Sequence, residues 1–362
     1  MRQGKLLEGI YGIMHVIFLL LMSHICHADV MNLRYKKAPL KLKVMTFNIE
    51  YGAIAYDIQS IVDRILAIKV DIAVINEHLR PDDSDASIDI AKKLGWYHTA
   101  ADFAAGAVIS RWHVEIDPKF QPPQRDSNEH WISLGGWISV IRVSDSPEKK
   151  KDLPPHIRLT PFNVIVMHLN DVPYQPYQAR GIPYDACTEQ NSARSIRANT
   201  TDCATTITDS EDLVNAAWHA RGKAVQEVIG IARNLTESNR SVVIAGDFNE
   251  PSDLDWTSRA VMAKRVPLRA KFKVSRRLRA AGMKDVYRAI YPDEMKNPGY
   301  TWYDSPTGSM AGGSGPPERI DFLYVPDSPN VLILDCEVGE KNSNESDHLP
   351  VSATLVFKNG VW

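Results

Sequence analysis

The chain lacks most of what marks a specialised protein. Its 362 residues include only 4 cysteines and no Cys-x-x-Cys pair, which excludes a small disulfide-built scaffold and a zinc ribbon. It has no excess of one charge. Its 42 lysines and arginines face 44 acids, a net charge of −2, so any polyanion must be met by a local patch rather than a global field. It has no apolar run of the roughly twenty residues that a membrane-crossing helix needs. The run near its start, residues 13–22, is about half that long. There is no fixed-period repeat and no break in composition that would divide the chain in two. With 44% hydrophobic and 24% charged residues, an ordinary globular chain remains.

Arg2 and Lys5 precede the short apolar run, and Cys26-His27-Ala28 follows it with small residues where cleavage needs them. This reads as a secretory signal peptide over residues 1–28, then an N-terminal extension over 29–39 and one domain over 40–358. The expected destination is the periplasm or the exterior, both oxidising. There Cys187 and Cys203, with 15 residues between them, can pair and staple an insert over residues 171–210. Cys336 lies beside Val331-Leu332-Ile333-Leu334 and reads as a buried free thiol.

Residues 40–49, 70–75, 104–110, 131–143, 162–167, 241–245, 320–325 and 349–357 read as strands. Residues 56–69, with Ile58, Ile61, Val62, Ile65 and Leu66 on one face, read as a helix, as do 86–94 and about 211–234. Several strands are continuous apolar runs that end in polar groups. Asn48 closes the first, Asn76-Glu77 the second, His168-Leu169-Asn170 another, and Gly246-Asp247-Phe248-Asn249 another. An unpaired charge inside such a strand costs several kcal/mol, but at strand ends charges can converge on one mouth. The pattern predicts mixed sheets with helices outside.

In this order, and with Gly246-Asp247-Phe248-Asn249 and Ser346-Asp347-His348-Leu349-Pro350-Val351 intact, the set resembles the endonuclease/exonuclease/phosphatase (DNase I-like) superfamily. The likeness runs from Lys41 to Phe357, and the stretch from Gly246 to Thr257 resembles an exported bacterial branch. It implies an α/β fold, a four-layer αββα sandwich of two packed mixed β-sheets with outer helices. It also implies a phosphoric ester hydrolase that uses Mg²⁺, with Mn²⁺ able to substitute. Glu50, Glu77 and Asp347 would hold the metal. Asp247 would act as base or orient the water, and Asn249 would bond the phosphate or the water. His348 would stabilise developing charge, oriented by Asp321 in Arg319-Ile320-Asp321-Phe322. His168 would be the general acid. On the substrate side the resemblance implies Asn48, which would also hold the acidic cluster together, with Asn170 and Trp302.

One departure and one match to particular branches stand out. Asn76 occupies a position that is usually glutamine, which shortens an amide behind Glu77. His168 stands where abasic-site endonucleases carry tyrosine, which favours a DNase I-like or sphingomyelinase-like branch. The expected activity is therefore that of a phosphodiesterase acting on nucleic acid, a phospholipid headgroup or a small phosphate ester. The rivals are a phosphomonoesterase on inositol or nucleotide phosphates and a binding module that has lost catalysis. Intact Glu77, Asp247, Asn249, Asp347 and His348 argue against the latter. No protein partner is expected, and no transmembrane segment after signal cleavage.

Two features remain outside this picture. Residues 264–279 carry eight cations and no acid, which reads as a phosphate-tracking patch or as a solvated face. Tyr174, Tyr177 and Tyr184 follow His168 and are placed either to stack on a ligand or to pack within their loop.

Overall fold

Two six-stranded sheets carry the chain. The computed structural model describes residues 39–100, 106–120, 135–145, 162–182, 205–303, 315–341 and 345–358. The expected signal peptide, nearly all of the extension, Cys187, Cys203 and Tyr184 lie outside the described residues. In chain order the strands are β1 (Leu40–Asn48), β2 (Ile72–Asn76), β3 (Tyr97–Ala100), β4 (Ala107–Ser110), β5 (His113–Ile116), β6 (Gly136–Ser144), β7 (Phe162–Leu169), β8 (Ser241–Asp247), β9 (Met283–Asp285), β10 (Asp321–Pro326), β11 (Val331–Val338) and β12 (Val351–Phe357). The first sheet has the order β11-β12-β1-β2-β4-β3 and the second β5-β6-β7-β8-β10-β9.

The sheets pack face to face, and helices cover the outer faces. Alternation along each strand sends one set of side chains inward and the other outward. From β1, Leu42 and Val44 enter the layer between the sheets, where they join Val74 of β2, Val164 and Val166 of β7, and Val243 and Ala245 of β8. Met45, Phe47, Ala73 and Ile75 point the other way and pack against α1 (Ile58–Ile68) and α2 (Ala86–Leu94) through Ile61, Ile65 and Ile90. On the far side, Ile165, Met167, Val242 and Ile244 meet α3 (Ser210–Glu237) at Ala224, Val225 and Val228, and α4 (Lys273–Ala280) at Val274 and Leu278. The result is the four-layer αββα sandwich. Burial on both faces is why these strands are continuous apolar runs rather than alternating ones.

The helices begin and end where local chemistry dictates. The side chains of Asp57, Asp85 and Asp209 each accept a hydrogen bond from a first-turn backbone N–H, and α1 and α2 stop at the left-handed residues Lys69 and Gly95. No helix among the described residues is long and apolar enough to cross a membrane.

Four strands and α4 go beyond the sequence reading. β3, β5 and β9 have only three or four residues each, too few for a periodic signal. β11 is an edge strand whose Leu332 and Leu334 face solvent, which obscures its pattern. In α4 the arginines and lysine mask the buried Val274, Ser275 and Leu278. Cys336 is a buried free cysteine, as expected.

Topology decides where the polar ends go. β1 and β2 are parallel neighbours, as are β7 and β8, so each pair ends at the same edge of its sheet. β12 runs antiparallel to β1, and β10 antiparallel to β8, so the starts of those strands reach the same edges. Asn48 aligns with Asn76 in register, and Asp247 with both His168 and Asp321. Asp347 and His348 lie just before β12. Six strand termini thus bring their polar residues to a single rim.

Candidate active site

The rim is held together across the two sheets by amides. Buried Asn48 uses both hydrogens of Nδ2, donating to Glu77 Oε1 at 3.0 Å and to Asp247 Oδ2 at 3.1 Å, while its Oδ1 accepts from Glu50 N at 3.0 Å. Asn76 donates from Nδ2 to Met167 O at 3.0 Å and accepts from Asp247 N at 3.2 Å. The shortened amide behind Glu77 is therefore an inter-sheet tie. Close approach here demands Gly246. A Cβ on it would sit 1.8 Å from Met167 O, and its φ is +146°.

Asp247 Oδ2 is the centre of the cluster. His168 Nε2 lies 3.9 Å from it and 3.7 Å from Glu77 Oε1, and His348 Nε2 lies 3.8 Å from it. The other Asp247 oxygen accepts from Asn249 N at 2.8 Å, and Asn249 Nδ2 donates to Leu169 O at 3.0 Å. His348 Nδ1 is 2.8 Å from Asp321 Oδ2. Arg319, two residues before Asp321, is engaged by Asp255 and Asp285 at 2.9 Å each. Thr301 Oγ1 accepts from both Ile320 N and Asp321 N at 3.0 Å and so sets the start of β10.

Asp347 is held from two sides. Trp302 Nε1 donates to its Oδ2 at 3.0 Å, and Ser346 Oγ lies 3.3 Å from its Oδ1. Ser346 also donates to Asn48 O at 2.7 Å and accepts from His348 N at 3.0 Å. Tyr56 donates its hydroxyl to Glu50. Glu77 accepts a second bond from Tyr51 N at 3.2 Å. Glu50, Glu77 and Asn249 have φ of 43°, 52° and 47°, in the left-handed region, at a cost of about 1–3 kcal/mol each. Such strain concentrates where the surrounding structure overdetermines a site.

The electrostatics follow from burial and crowding. Burial, and then the Asp321 charge, push Asp247 up to about 6. Burial pushes Asp347 up to about 7, with the Glu50 and Glu77 charges adding to it. Burial alone would lower His348, but the carboxylates of Asp321 and Asp347 outweigh it and hold the ring well above its usual value.

The donor set suits a hard divalent cation, because it is rich in carboxylate oxygens crowded closely enough to raise one another's affinity for protons. Ligand atoms of Glu77, His168 and Asp247 lie within 4.8 Å of one another, as do those of Asp247, Asp321 and His348. Glu50 and Asp347, expected beside Glu77 as ligands, belong to neither of those compact groups, although both Glu50 and Glu77 act electrostatically on Asp347.

Other expected site residues lie close to the rim but are engaged differently. Asn170 donates from Nδ2 to Ala220 O of α3 at 3.4 Å, and its backbone N donates to Gly135 O. Tyr174 and Tyr177 are buried, with rings 5.6 and 5.9 Å from that of Trp302, so they back the tryptophan. Sequence reasoning left Ser346, Thr301 and Tyr56 without a role. Ser346 stood inside a string already singled out and Thr301 directly precedes Trp302, whereas nothing in the sequence marked Tyr56.

A two-sheet sandwich with carboxylates, amides and two histidines gathered at one rim defines a class of hydrolase scaffold. Residues 45–348 match the sequence profile of the Endonuclease/Exonuclease/phosphatase family, and the chain belongs to that family of phosphoester hydrolases. A Caenorhabditis elegans protein, Uncharacterized protein F14F9.5, is 32% identical over 172 residues, a match covering 42% of this chain and 54% of that protein. The chain thus spans about half the length of this curated relative. The crystal structure of an endonuclease/exonuclease/phosphatase from Bacteroides vulgatus superposes with a TM-score of 0.50 at 16% identity, covering 87% of this chain and 98% of that one. An AP endonuclease from Archaeoglobus fulgidus superposes with a TM-score of 0.49 at 17% identity, covering 86% and 98%. At 16% identity the likeness to the Bacteroides vulgatus structure is one of fold.

Proposed function

We propose that the protein is an exported, Mg²⁺-dependent phosphodiesterase that cleaves its substrate by in-line attack of water. The observation that carries this reading is the joining of two parts at one rim: the carboxylates Glu50, Glu77 and Asp347, and the Asp321–His348 pair, with Asp247 between them. Glu77, with Glu50 and Asp347, would hold the ion, and Mn²⁺ would serve in place of Mg²⁺. A bound divalent cation neutralises the phosphodiester charge and polarises a phosphoryl oxygen.

The remaining steps belong to the chain. Asp247, ionised above about pH 6, orients the attacking water and takes its proton. Asn249 is steadied through Leu169 O and has a second Nδ2 hydrogen to offer a phosphate oxygen. His348 keeps its proton through neutral pH because Asp321 bonds Nδ1, so Nε2 can donate to a phosphoryl oxygen as negative charge grows there. His168, whose Nε2 lies 3.9 Å from Asp247 Oδ2, would give a proton to the leaving oxygen.

The test is release of p-nitrophenol from bis-p-nitrophenyl phosphate and from p-nitrophenyl phosphate, with and without EDTA. The expected result is faster cleavage of the diester, loss of activity in EDTA and recovery with Mg²⁺ or Mn²⁺. Full activity in EDTA would sink the metal-dependent reading, and preference for the monoester would favour the phosphomonoesterase. A panel of plasmid DNA, RNA, sphingomyelin and inositol phosphates then sorts the natural diester.

A further inference from the structure

The basic stretch 264–279 divides into two populations once folded. Four of its eight cations are used internally. Arg265 donates to Glu294 O at 3.3 Å, Lys273 to Asn215 Oδ1 at 2.8 Å and Arg279 to both oxygens of Asp253 at 2.7 Å, and the Arg277 guanidinium lies 5.8 Å from the Trp218 ring centre. The other four, Lys264, Arg269, Lys271 and Arg276, are exposed, and no carboxylate among the described residues pairs with them. Three of these four line one cavity of about 400 Å³. Its wall also includes Asp253, Ser258 and Arg259. The Asp253 charge is compensated by Arg279, and that of Arg259 by Asp293 and Glu294 at 3.0 and 3.2 Å. The cavity is therefore left with three uncompensated positive charges and a serine hydroxyl.

We infer that this cavity, formed by residues 253–276, is a second anion site that binds the phosphate groups of a compact, multiply phosphorylated molecule. Like charges gathered in a concavity repel one another and focus a positive potential into it, a cost that a bound polyanion relieves. Two guanidinium groups and an ammonium group supply the charge-assisted donors that phosphate oxygens accept best. A single-stranded nucleic acid fits less well, because no aromatic side chain among the described residues lines the cavity to stack a base. None of the lining residues belongs to the rim that holds Glu77, Asp247 and His348, so the inference stands whether or not that rim hydrolyses diesters.

The probe is inorganic pyrophosphate, titrated calorimetrically into the full chain in EDTA at low salt. Wild type should bind it saturably, more tightly than sulfate, and with an affinity that falls as salt rises. The triple variant R269A/K271A/R276A should bind about tenfold or more weakly, with an unchanged melting temperature. Lys264→Ala, which removes an exposed cation outside the cavity, should bind like wild type, and R269K/R276K should recover part of the lost affinity. His348→Ala, made at the rim, should also bind like wild type. No saturable binding by wild type, equal binding by the triple variant, or loss of binding in His348→Ala would each overturn the inference. So would a single-stranded oligonucleotide that displaces pyrophosphate and is itself insensitive to the triple substitution.

Discussion

The two sheets bring different chemistry to the rim. The first, with β1, β2 and the turn before β12, contributes Glu50, Glu77 and Asp347, crowded acids that favour a cation. The second, with β7, β8 and β10, contributes His168, Asp247 and Asp321, an imidazole and two carboxylates, the last of them bonded to His348 Nδ1. Neither half is self-sufficient. Asn48 and Asn76 of the first sheet bond Asp247 of the second, and His348 from the first-sheet side takes its carboxylate from the second. On the proposed mechanism, charge neutralisation and proton handling would be built on separate layers, which a few amides register to each other.

The largest expected effect comes from emptying the first sheet's share. Glu77→Ala should fold normally and lose turnover on the order of 10⁴-fold, more than the roughly 10–100-fold typical of residues that only support a metal ligand. Diester turnover over a Mg²⁺ titration checks this, and a variant that keeps more than a tenth of wild-type turnover would remove Glu77 from the metal role. The proton-handling half should come next. His348→Ala should cost on the order of 10²–10⁴-fold. Asp321→Ala should cost less, because the ring remains. The double variant should be little worse than His348→Ala, since Asp321 acts through the ring. Asp321 raises His348 above its ordinary value, so removing the carboxylate lowers that pKa. The alkaline limb of the turnover profile should then move to lower pH in Asp321→Ala. Profiles between pH 5.5 and 9 decide the matter, because additive losses or an unmoved limb would give Asp321 a separate task.

Breaking the register between the sheets should cost less again. Asn76→Ala leaves every charged group in place but frees Met167 O and Asp247 N from their amide partner. A loss of roughly 10–100-fold in turnover is expected. A smaller loss than that of Trp302→Phe would show that the sheets hold their register without it. Trp302→Phe keeps an aromatic face for Tyr174 and Tyr177 but removes the donor to Asp347 together with part of the indole. It should lower turnover by about tenfold or less and raise the Mg²⁺ concentration needed for half-maximal activity.

Much of this was legible before folding, and the reason is local. β1, β2, β7 and β8 are apolar because both their faces are covered, and the polar residues at their last or next-to-last positions mark where the cover stops. The helices α1, α2 and α3 declare themselves through spacing and an aspartate at each start. The strings around Asp247 and His348 pointed to a family that the match over residues 45–348 bears out. Short strands such as β9 have no period to read. Tyr174 and Tyr177 were equally compatible with a ligand-facing loop until their contact with Trp302 placed them.

What the amino-acid order determined by itself is the inventory: which segments must be buried, where each one ends, and which chemical groups stand at those ends. That is so because burial period, capping and strand-end polarity are properties of neighbouring residues. Which end meets which was decided only in three dimensions. Asn48 bonds Asp247 across 199 positions, and Ser346 bonds Asn48 across 298. Such pairings depend on the parallel and antiparallel order of strands in two sheets and on the gap between those sheets, and no local pattern records either. The same holds for the eight cations of residues 264–279: alike in the sequence, they were sorted into partnered and unpartnered only by the packing around them.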